Sequence, residues 1–145
     1  MKIKTSIILL LLVIISCKDP FFTENSHESI TLRTDKTSYT RSDSVKIVLW
    51  NGSDSDFIIG LRCNEWLEMW YQKKENDCWS DNLWFWYMSF KCPTFVDTLH
   101  PNNAFSFSIS SEKFKSVGTY RLTRDFNNSI DNMNGGIYSN SFEIK

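Results

Sequence analysis

Hydrophobic and polar residues alternate with a period of two along most of this chain. Segment 44–50 places Val45, Ile47 and Leu49 on one face, and segment 105–109 alternates apolar residues with serine. This alternation is typical of a β-strand with one buried face, because successive side chains of a strand point to opposite sides. No convincing amphipathic helix is visible. The pattern therefore predicts an all-β fold.

Short apolar segments separated by turn signals predict the remaining strands. They are residues 29–34, 56–62, 66–73, 83–90, 118–122 and 137–144. Asn51-Gly52-Ser53, Lys74–Asp77 and His100–Asn103 lie between these segments and contain residues that favour turns. Seven or eight short strands joined in this way predict an antiparallel β-sandwich.

The first sixteen residues have a different pattern. Lys2 and Lys4 precede an uninterrupted apolar run, Ile7 to Ile15, and the small residue Ser16 stands directly before Cys17. A positive start, a short apolar run and a small residue at its end predict a cleaved signal peptide. The run is too short to cross a membrane as a helix, which takes about 20 residues.

Residues 14–17, Ile-Ile-Ser-Cys, resemble the lipobox of bacterial lipoproteins, with isoleucine where the first position usually has leucine. The resemblance implies cleavage before Cys17, lipidation of that cysteine, and an anchor that two or more acyl chains make stable. The expected parts are a signal peptide at 1–16, a lipidated cysteine and tether at 17–28, and a sandwich at 29–145. We expect an outer-membrane lipoprotein of the cell envelope, on the periplasmic face or at the cell surface.

Three further motifs resemble those of bacterial immunoglobulin-like sandwich domains. The chain has Val-x-Ile-x-x-x-Asn-x-Ser at 45–53, Leu-x-Pro-Asn-x at 99–103 and Gly-x-Tyr-Arg-Leu at 118–122. The chain departs from the family in Asn102, where glycine is usual, and in its Trp-rich middle. The resemblance implies an immunoglobulin-like β-sandwich, and it brings no active site with it.

Composition excludes several classes of function. The formal net charge is −1, which becomes −3 when Lys2 and Lys4 leave with the signal peptide, and basic residues are not clustered. A nucleic-acid-binding domain needs a concentrated basic surface, so we expect no nucleic-acid partner. The chain has no glycine-rich phosphate loop, no Cys-x-x-Cys pair and no Gly-x-Ser-x-Gly pattern. We therefore expect no metal, no cofactor and no enzymatic activity.

Once Cys17 is assigned to lipid, three cysteines remain. The export signal places them in an oxidising compartment, where disulfides form, so we expect one disulfide and one cysteine left over. If the chain turns at Lys74–Asp77, Cys63 and Cys78 lie at opposite ends of a strand, on the order of 30 Å apart. The returning strand brings Cys92 back beside Cys63, within the roughly 7 Å between Cα atoms that a disulfide requires. The predicted pair is Cys63–Cys92, with Cys78 as the cysteine left over at the hairpin.

Five of the six tryptophans fall within residues 66–86. On an alternating strand, Trp66 and Trp70 share a face with Glu68 and Gln72, so that flat rings stand beside polar groups, as in surfaces that hold sugar rings. Aromatic rings also bury more area than other side chains, so the favoured interpretation is that the tryptophans fill the core of the sandwich and cover the edges of its sheets. The alternative is a ligand surface formed by these four residues, which an exposed apolar patch would favour.

Two short motifs suggest modification of the exported chain. Asp43-Ser44-Val45 and Asp97-Thr98-Leu99 resemble the Asp-(Ser/Thr)-apolar motif that some Gram-negative bacteria use for O-glycosylation. The resemblance makes Ser44 and Thr98 candidate O-glycosylation sites. His100 lies in a turn, and no residue pattern beside it suggests catalysis.

Together these patterns predict a lipid-anchored binding or structural accessory module of the cell envelope. The expected partners are the membrane, through the lipid anchor, and a glycan or an envelope protein. The alternative is an immunoglobulin-like domain that inhibits a protease through its loops.

Overall fold

The computed structural model describes residues 30–125 and 136–145. The signal peptide at 1–16, Cys17 and the tether at 17–28 lie outside the described residues, so the expectations for them stay predictions. Within the described ranges, no helix is long and apolar enough to span a membrane.

The described residues are almost entirely β-structure. In chain order the strands are β1 (Ile30–Thr34), β2 (Ser38–Tyr39), β3 (Ser44–Asn51), β4 (Phe57–Arg62), β5 (Trp66–Leu67), β6 (Trp70–Glu75), β7 (Cys78–Trp79), β8 (Leu83–Trp84), β9 (Thr94–Leu99), β10 (Ala104–Ser110), β11 (Gly118–Asp125), β12 (Gly136–Tyr138) and β13 (Phe142–Ile144). Two short 3-10 turns, Trp86–Ser89 and Ser111–Lys113, are the helical elements of this part of the chain. The predicted all-β class is confirmed.

The strands form three sheets. In the first, β3 lies between β1 and β10, and in the second, β4 lies between β5 and β9. The third sheet has the order β2-β13-β11-β6-β7, with β12 paired to β11 and β8 paired to β6. The pairings are antiparallel except that of β13 with β2.

The first sheet shows how the alternating pattern builds the core. Val45, Ile47 and Leu49 of β3 are buried, as the period of two predicts. Leu49 lies opposite Leu32 of β1 and opposite Phe105 of β10. Apolar neighbours across strands stabilise a sheet by packing on one face, so the buried face of β3 continues into both partners.

One hydrophobic core unites buried side chains from all three sheets. Its largest rings belong to Tyr39, Phe85, Tyr87, Phe114, Tyr120 and Phe142. None of the six tryptophans is among the buried residues, although Trp66 and Trp86 pack against the outside of the core. Trp66 and Trp86 therefore cover the core from outside, and the tryptophans do not fill its interior.

Asn51 ends β3 and fixes the turn that follows. Its buried side-chain Nδ2 donates hydrogen bonds to the carbonyl oxygens of Ser55 and Leu99, both at 2.8 Å. Its Oδ1 accepts a hydrogen bond from the N–H of Ser53 at 3.0 Å. The turn is present as predicted, but β3 and β4 on either side of it belong to different sheets. The hydrogen bonds of the Asn51 amide therefore fix the connection by which the chain passes from the first sheet to the second.

The strand predicted at 83–90 ends after Trp84. Phe85 and Tyr87 are both buried, and the 3-10 turn that begins after Phe85 stacks their rings with centroids 5.4 Å apart and planes 8° apart. In a continuing strand, the Cα atoms of alternate residues would lie about 7 Å apart. Close packing of the two rings in the core therefore favours the turn over an extended backbone.

Candidate functional site

Residues 63–93 connect two paired strands of the second sheet, β4 and β9. Arg62, the last residue of β4, lies opposite Thr94, the first residue of β9, so the chain departs and returns at the same place. Cys63 and Cys92 close this neck with a disulfide, their Cα atoms 5.2 Å apart. The predicted Cys63–Cys92 pair is confirmed. We call residues 63–93 the aromatic excursion, because they include five of the six tryptophans.

The disulfide has a different structural cause from the predicted one. Cys63 follows β4 and Cys92 precedes β9, so the pairing of these two strands brings the cysteines together directly. The prediction relied instead on a continuous strand at 66–73, which the structure interrupts after Leu67. The predicted turn at its far end is present: Asn76 and Asp77, with φ angles of 49° and 64°, connect β6 to β7. A tight two-residue hairpin of this kind requires two left-handed residues. Cys78 follows the turn and is not a free thiol, so the expectation of a leftover cysteine there is wrong.

Side chains of residues 66–72 alternate between the core and the surface. The odd-numbered ones are buried: Leu67, Met69 and Tyr71. The even-numbered ones are partly exposed on the opposite face: Trp66, Glu68, Trp70 and Gln72. We call these four residues the aromatic strip. The alternation continues across the break between β5 and β6, which indicates an extended backbone throughout the strip.

Trp66 is held in place by three other rings. It stacks on the buried Tyr87, with centroids 5.5 Å apart and planes 20° apart. Trp86 and Phe90 meet it at steep angles, with centroid distances of 6.2 Å and 5.7 Å. Such aromatic contacts each contribute about 0.5–1.5 kcal/mol beyond the area they bury. Tyr87 covers one face of the Trp66 ring, and the side chain as a whole stays partly exposed.

Trp70 forms a second ring position with the help of β8. The register of β6 and β8 places Trp84 opposite Trp70, with ring centroids 5.5 Å apart and planes 75° apart. Trp84 is 62% exposed, the largest value for any aromatic side chain among the described residues. A large apolar ring left in water at this level favours an interaction surface over a purely structural role.

Glu68 lies between the two ring positions and is itself fixed. Its backbone N–H donates to the carbonyl oxygen of Gly60 at 3.0 Å, and the hydroxyl of Thr94 donates to its carboxylate. The carboxylate sits so close to Gly60 that a Cβ there would lie 3.0 Å from Oε2. The absence of a side chain at Gly60 therefore makes room for the acid on the surface of the second sheet.

Gln72 ends the strip and connects it to the neighbouring strand. Its Oε1 accepts a hydrogen bond from Nε of Arg121 at 2.7 Å, and its Nε2 donates to Oδ1 of Asn82 at 2.9 Å. The guanidinium of Arg121 lies over two rings, 4.3 Å from the centroid of Trp79 and 4.1 Å from that of Tyr138. Sequence reasoning missed this cluster, because Gln72 and Arg121 meet only through the pairing of β6 with β11.

Tyr87 gives Trp66 an uncharged support. Burial raises the pKa of the Tyr87 phenol far above its usual value, and the negative charge of Glu68 raises it further. The Tyr87 hydroxyl donates to the carbonyl oxygen of Leu67 at 2.8 Å. The ring beneath Trp66 therefore stays neutral across the physiological pH range.

The remaining predicted sites lie apart from the strip. Ser44 is exposed at the start of β3, whereas Thr98 is partly buried within β9, and the two are in different sheets. His100 has a partner that the sequence pattern does not reveal: its Nδ1 lies 2.8 Å from Oδ1 of Asp56, with both side chains exposed. In the part of the chain that the structure describes, no three His, Cys, Asp or Glu side chains are grouped to hold a metal ion.

Comparison with known proteins gives only distant similarity. No protein-family model matches the chain, and no curated protein is detectably similar to it. A beta-glucosidase from Listeria innocua in complex with isofagomine aligns with a TM-score of 0.41 at 13% identity over 79% of this chain. The same enzyme in complex with glucose gives the same three values. The chain spans 16% of the length of these enzyme chains, and similarity this low assigns neither a family nor an activity.

Proposed function

We propose that the mature chain is a lipid-anchored binding module of the bacterial cell envelope, and that its aromatic strip binds a glycan. The single observation that carries the proposal is the alternation of burial along residues 66–72. Phenylalanine and tyrosine fill the core beneath the strip, while tryptophans stay at the surface. Apolar area left in water forgoes about 25 cal/mol per Å² of burial, so partly exposed indoles beside the exposed Trp84 support a role in binding.

The chemistry of the strip suits a sugar. The apolar face of a pyranose ring packs on an indole, and its hydroxyl groups hydrogen-bond to polar groups at the ring edge. Trp66 and Trp70 supply the indoles, and Glu68 and Gln72 supply a carboxylate and an amide on the same face. Both polar groups are held by protein hydrogen bonds, so little side-chain freedom is lost when a ligand binds.

An immunoglobulin-like β-sandwich is the fold that we propose to carry this surface. Antiparallel pairing of β3 with β1 and β10, and of β11 with β6 and β13, supports the proposal. The single core shared by these sheets supports it as well. In such a sandwich the aromatic excursion is a long connection that adds β6 to the sheet of β11.

The binding proposal is tested with immobilised glycans. Wild type, Trp66→Ala and Trp70→Ala are compared on a glycan array that includes chitin, cellulose and peptidoglycan fragments. Trp50→Ala is the matched control, because Trp50 is 38% exposed and belongs to β3 in another sheet. We expect wild type and the control to bind equally, and each strip variant to bind at least tenfold more weakly while it stays folded at the assay temperature. Trp66→Ala is expected to lower the melting temperature, because it removes the contacts with Tyr87, Trp86 and Phe90.

Two results would contradict the proposal. One is full glycan binding by both strip variants, and the other is the absence of any glycan bound by wild type. Unfolding of both strip variants would instead show that Trp66 and Trp70 are structural. Protease inhibition through the loops stays the alternative prediction, and inhibition of a protease panel by micromolar protein would favour it.

The lipid anchor is tested by mass and by fractionation. Lipidation attaches the acyl-bearing group through the sulfur of Cys17. Intact mass spectrometry of the membrane-extracted protein is expected to give residues 17–145 carrying a diacylglyceryl group. Cys17→Ser is expected to move the protein to the soluble fraction. An unlipidated mass would contradict the anchor.

A further inference from the structure

We infer that the ligand of the aromatic strip is a straight oligosaccharide of at least three linked pyranose rings. The inference rests on the proposed function and concerns the length and shape of the glycan. It follows from the spacing of the two ring positions and from the group that lies between them.

The two ring positions are separated by four residues of extended chain. Trp66 and Trp70 are both partly exposed, with Glu68 between them, and buried residues alternate with them as in an extended backbone that passes from the second sheet to the third. Four residues of strand span about 13 Å. Two directly linked pyranose rings are too short to cover both indoles at this distance, whereas three linked rings are long enough. A disaccharide therefore uses one indole only.

The space between the indoles offers a fixed hydrogen-bond acceptor to a middle ring. The carboxylate of Glu68 is placed there by its fit over Gly60 and by the hydroxyl of Thr94. An ionised carboxylate has about four acceptor sites, so one bond to Thr94 leaves acceptor capacity for sugar hydroxyls. The strip therefore has a ring surface at each end and an acid between them, which matches a chain of three rings.

The strip also selects for the shape of the glycan, because its two indoles lie along one extended segment of backbone. β-1,4-linked glycans are straight and flat, so they keep successive rings over such a line. α-1,4-linked glycans curve, and a curved chain that rests on Trp66 leaves the surface before it reaches Trp70. We therefore expect cello- and chito-oligosaccharides to use both indoles, and malto-oligosaccharides to use only one.

Calorimetric titration with a size series tests the inference. The probes are cello- and chito-oligosaccharides of one to six rings, with malto-oligosaccharides of the same lengths as the curved control. For at least one straight series, we expect affinity to rise tenfold or more between two and three rings, which corresponds to about 1.4 kcal/mol. The malto series is expected to show no such step.

Variants of the second ring position separate ligand contact from folding. Trp84→Ala removes a side chain that is 62% exposed and packs on Trp70, so it alters this position without opening the core. We expect Trp84→Ala to reduce the gain at the third ring and Trp70→Ala to abolish it, while both retain disaccharide binding. Trp50→Ala is expected to keep the whole step.

Failure of the inference is distinguishable from failure of the proposed function. Equal affinity for two and three rings, a step that persists in Trp70→Ala, or no binding of either straight series would overturn the inference. The proposed function is judged separately by the glycan array, on which wild type either binds a glycan through Trp66 and Trp70 or does not.

Discussion

The carboxylate of Glu68 lies directly over Gly60, in the space where any other residue would carry its side chain. The separation between Oε2 and the position of a Cβ at Gly60 is 3.0 Å, and the N–H of Glu68 donates to the Gly60 carbonyl at the same distance. A glycine in the middle of β4 thus determines where the one acid of the aromatic strip stands.

Gly60→Ala is expected to weaken glycan binding with little effect on stability. The new methyl group displaces the end of the flexible Glu68 side chain, while removal of a strand glycine favours the folded state by roughly 0.5–1 kcal/mol. We expect the free energy of unfolding to change by less than about 1 kcal/mol and the affinity to fall. Denaturant titration and calorimetry measure the two quantities.

A double-mutant cycle with Glu68→Ala is the control for this prediction. Both Gly60→Ala and Glu68→Ala act on the same carboxylate, so their effects on affinity are expected to be less than additive. Fully additive losses would show that Gly60 acts by another route.

Loss of the Cys63–Cys92 disulfide is expected to destabilise the fold. The bridge closes a loop with a sequence separation of 29, for which loop-closure entropy predicts a loss of roughly 3–4 kcal/mol in the free energy of unfolding. Denaturant unfolding of the double variant Cys63→Ser/Cys92→Ser measures the loss. A decrease below about 1 kcal/mol would mean that the pairing of β4 with β9 closes the excursion unaided.

Asn51→Ala is expected to lower the free energy of unfolding by roughly 2–4 kcal/mol, because the carbonyls of Ser55 and Leu99 lose their shared donor. Asn103→Ala is the matched control: Asn103 is exposed, and its backbone carbonyl, which accepts from the N–H of Asn51 at 2.9 Å, is kept. The control is expected to cost less than about 0.5 kcal/mol. Equal losses in thermal or denaturant unfolding would contradict a special role for the buried amide.

Stability is expected to fall at alkaline pH through Tyr39. Burial raises the pKa of Tyr39 to about 12, and its hydrogen bond to the carboxylate of Asp35 at 2.7 Å acts in the same direction. A phenol whose pKa is higher in the folded state than in the unfolded state, where it is about 10, contributes stability below pH 10 that is lost as the pH rises to 12. Tyr39→Phe cannot ionise, so its unfolding free energy is expected to decline less than that of wild type between pH 10 and 12. Parallel declines would exclude this contribution.

Local alternation predicted what depends on neighbouring residues in the chain. It identified the buried face of β3 and the shared face of Trp66 and Trp70, because side-chain direction in a strand follows from residue parity alone. It did not determine which face is covered, since that depends on the sheet packed against the strand. Phe85 and Tyr87 fill the core, whereas Trp66 and Trp86 pack against it from outside.

Contacts between distant parts of the chain were beyond sequence reasoning. Arg121 meets Gln72 across 49 residues, and His100 meets Asp56 across 44. Each contact requires knowledge of which strands are neighbours. The Cys63–Cys92 pair could be predicted because a disulfide requires its two Cα atoms to lie within roughly 7 Å. Only a chain that returns to the neighbourhood of Cys63 satisfies that distance.

The pairing of β6 with β11 constrains how the proposed binding surface can diverge. Tyr71 of β6 is buried opposite Leu122, and its neighbours Trp70 and Gln72 project from the other face of the same strand. A mutation at an even-numbered position of the strip changes what a ligand meets, whereas one at an odd-numbered position changes the core. New ligand preferences can therefore evolve at every second residue, while the buried residues between them preserve the packing of the core.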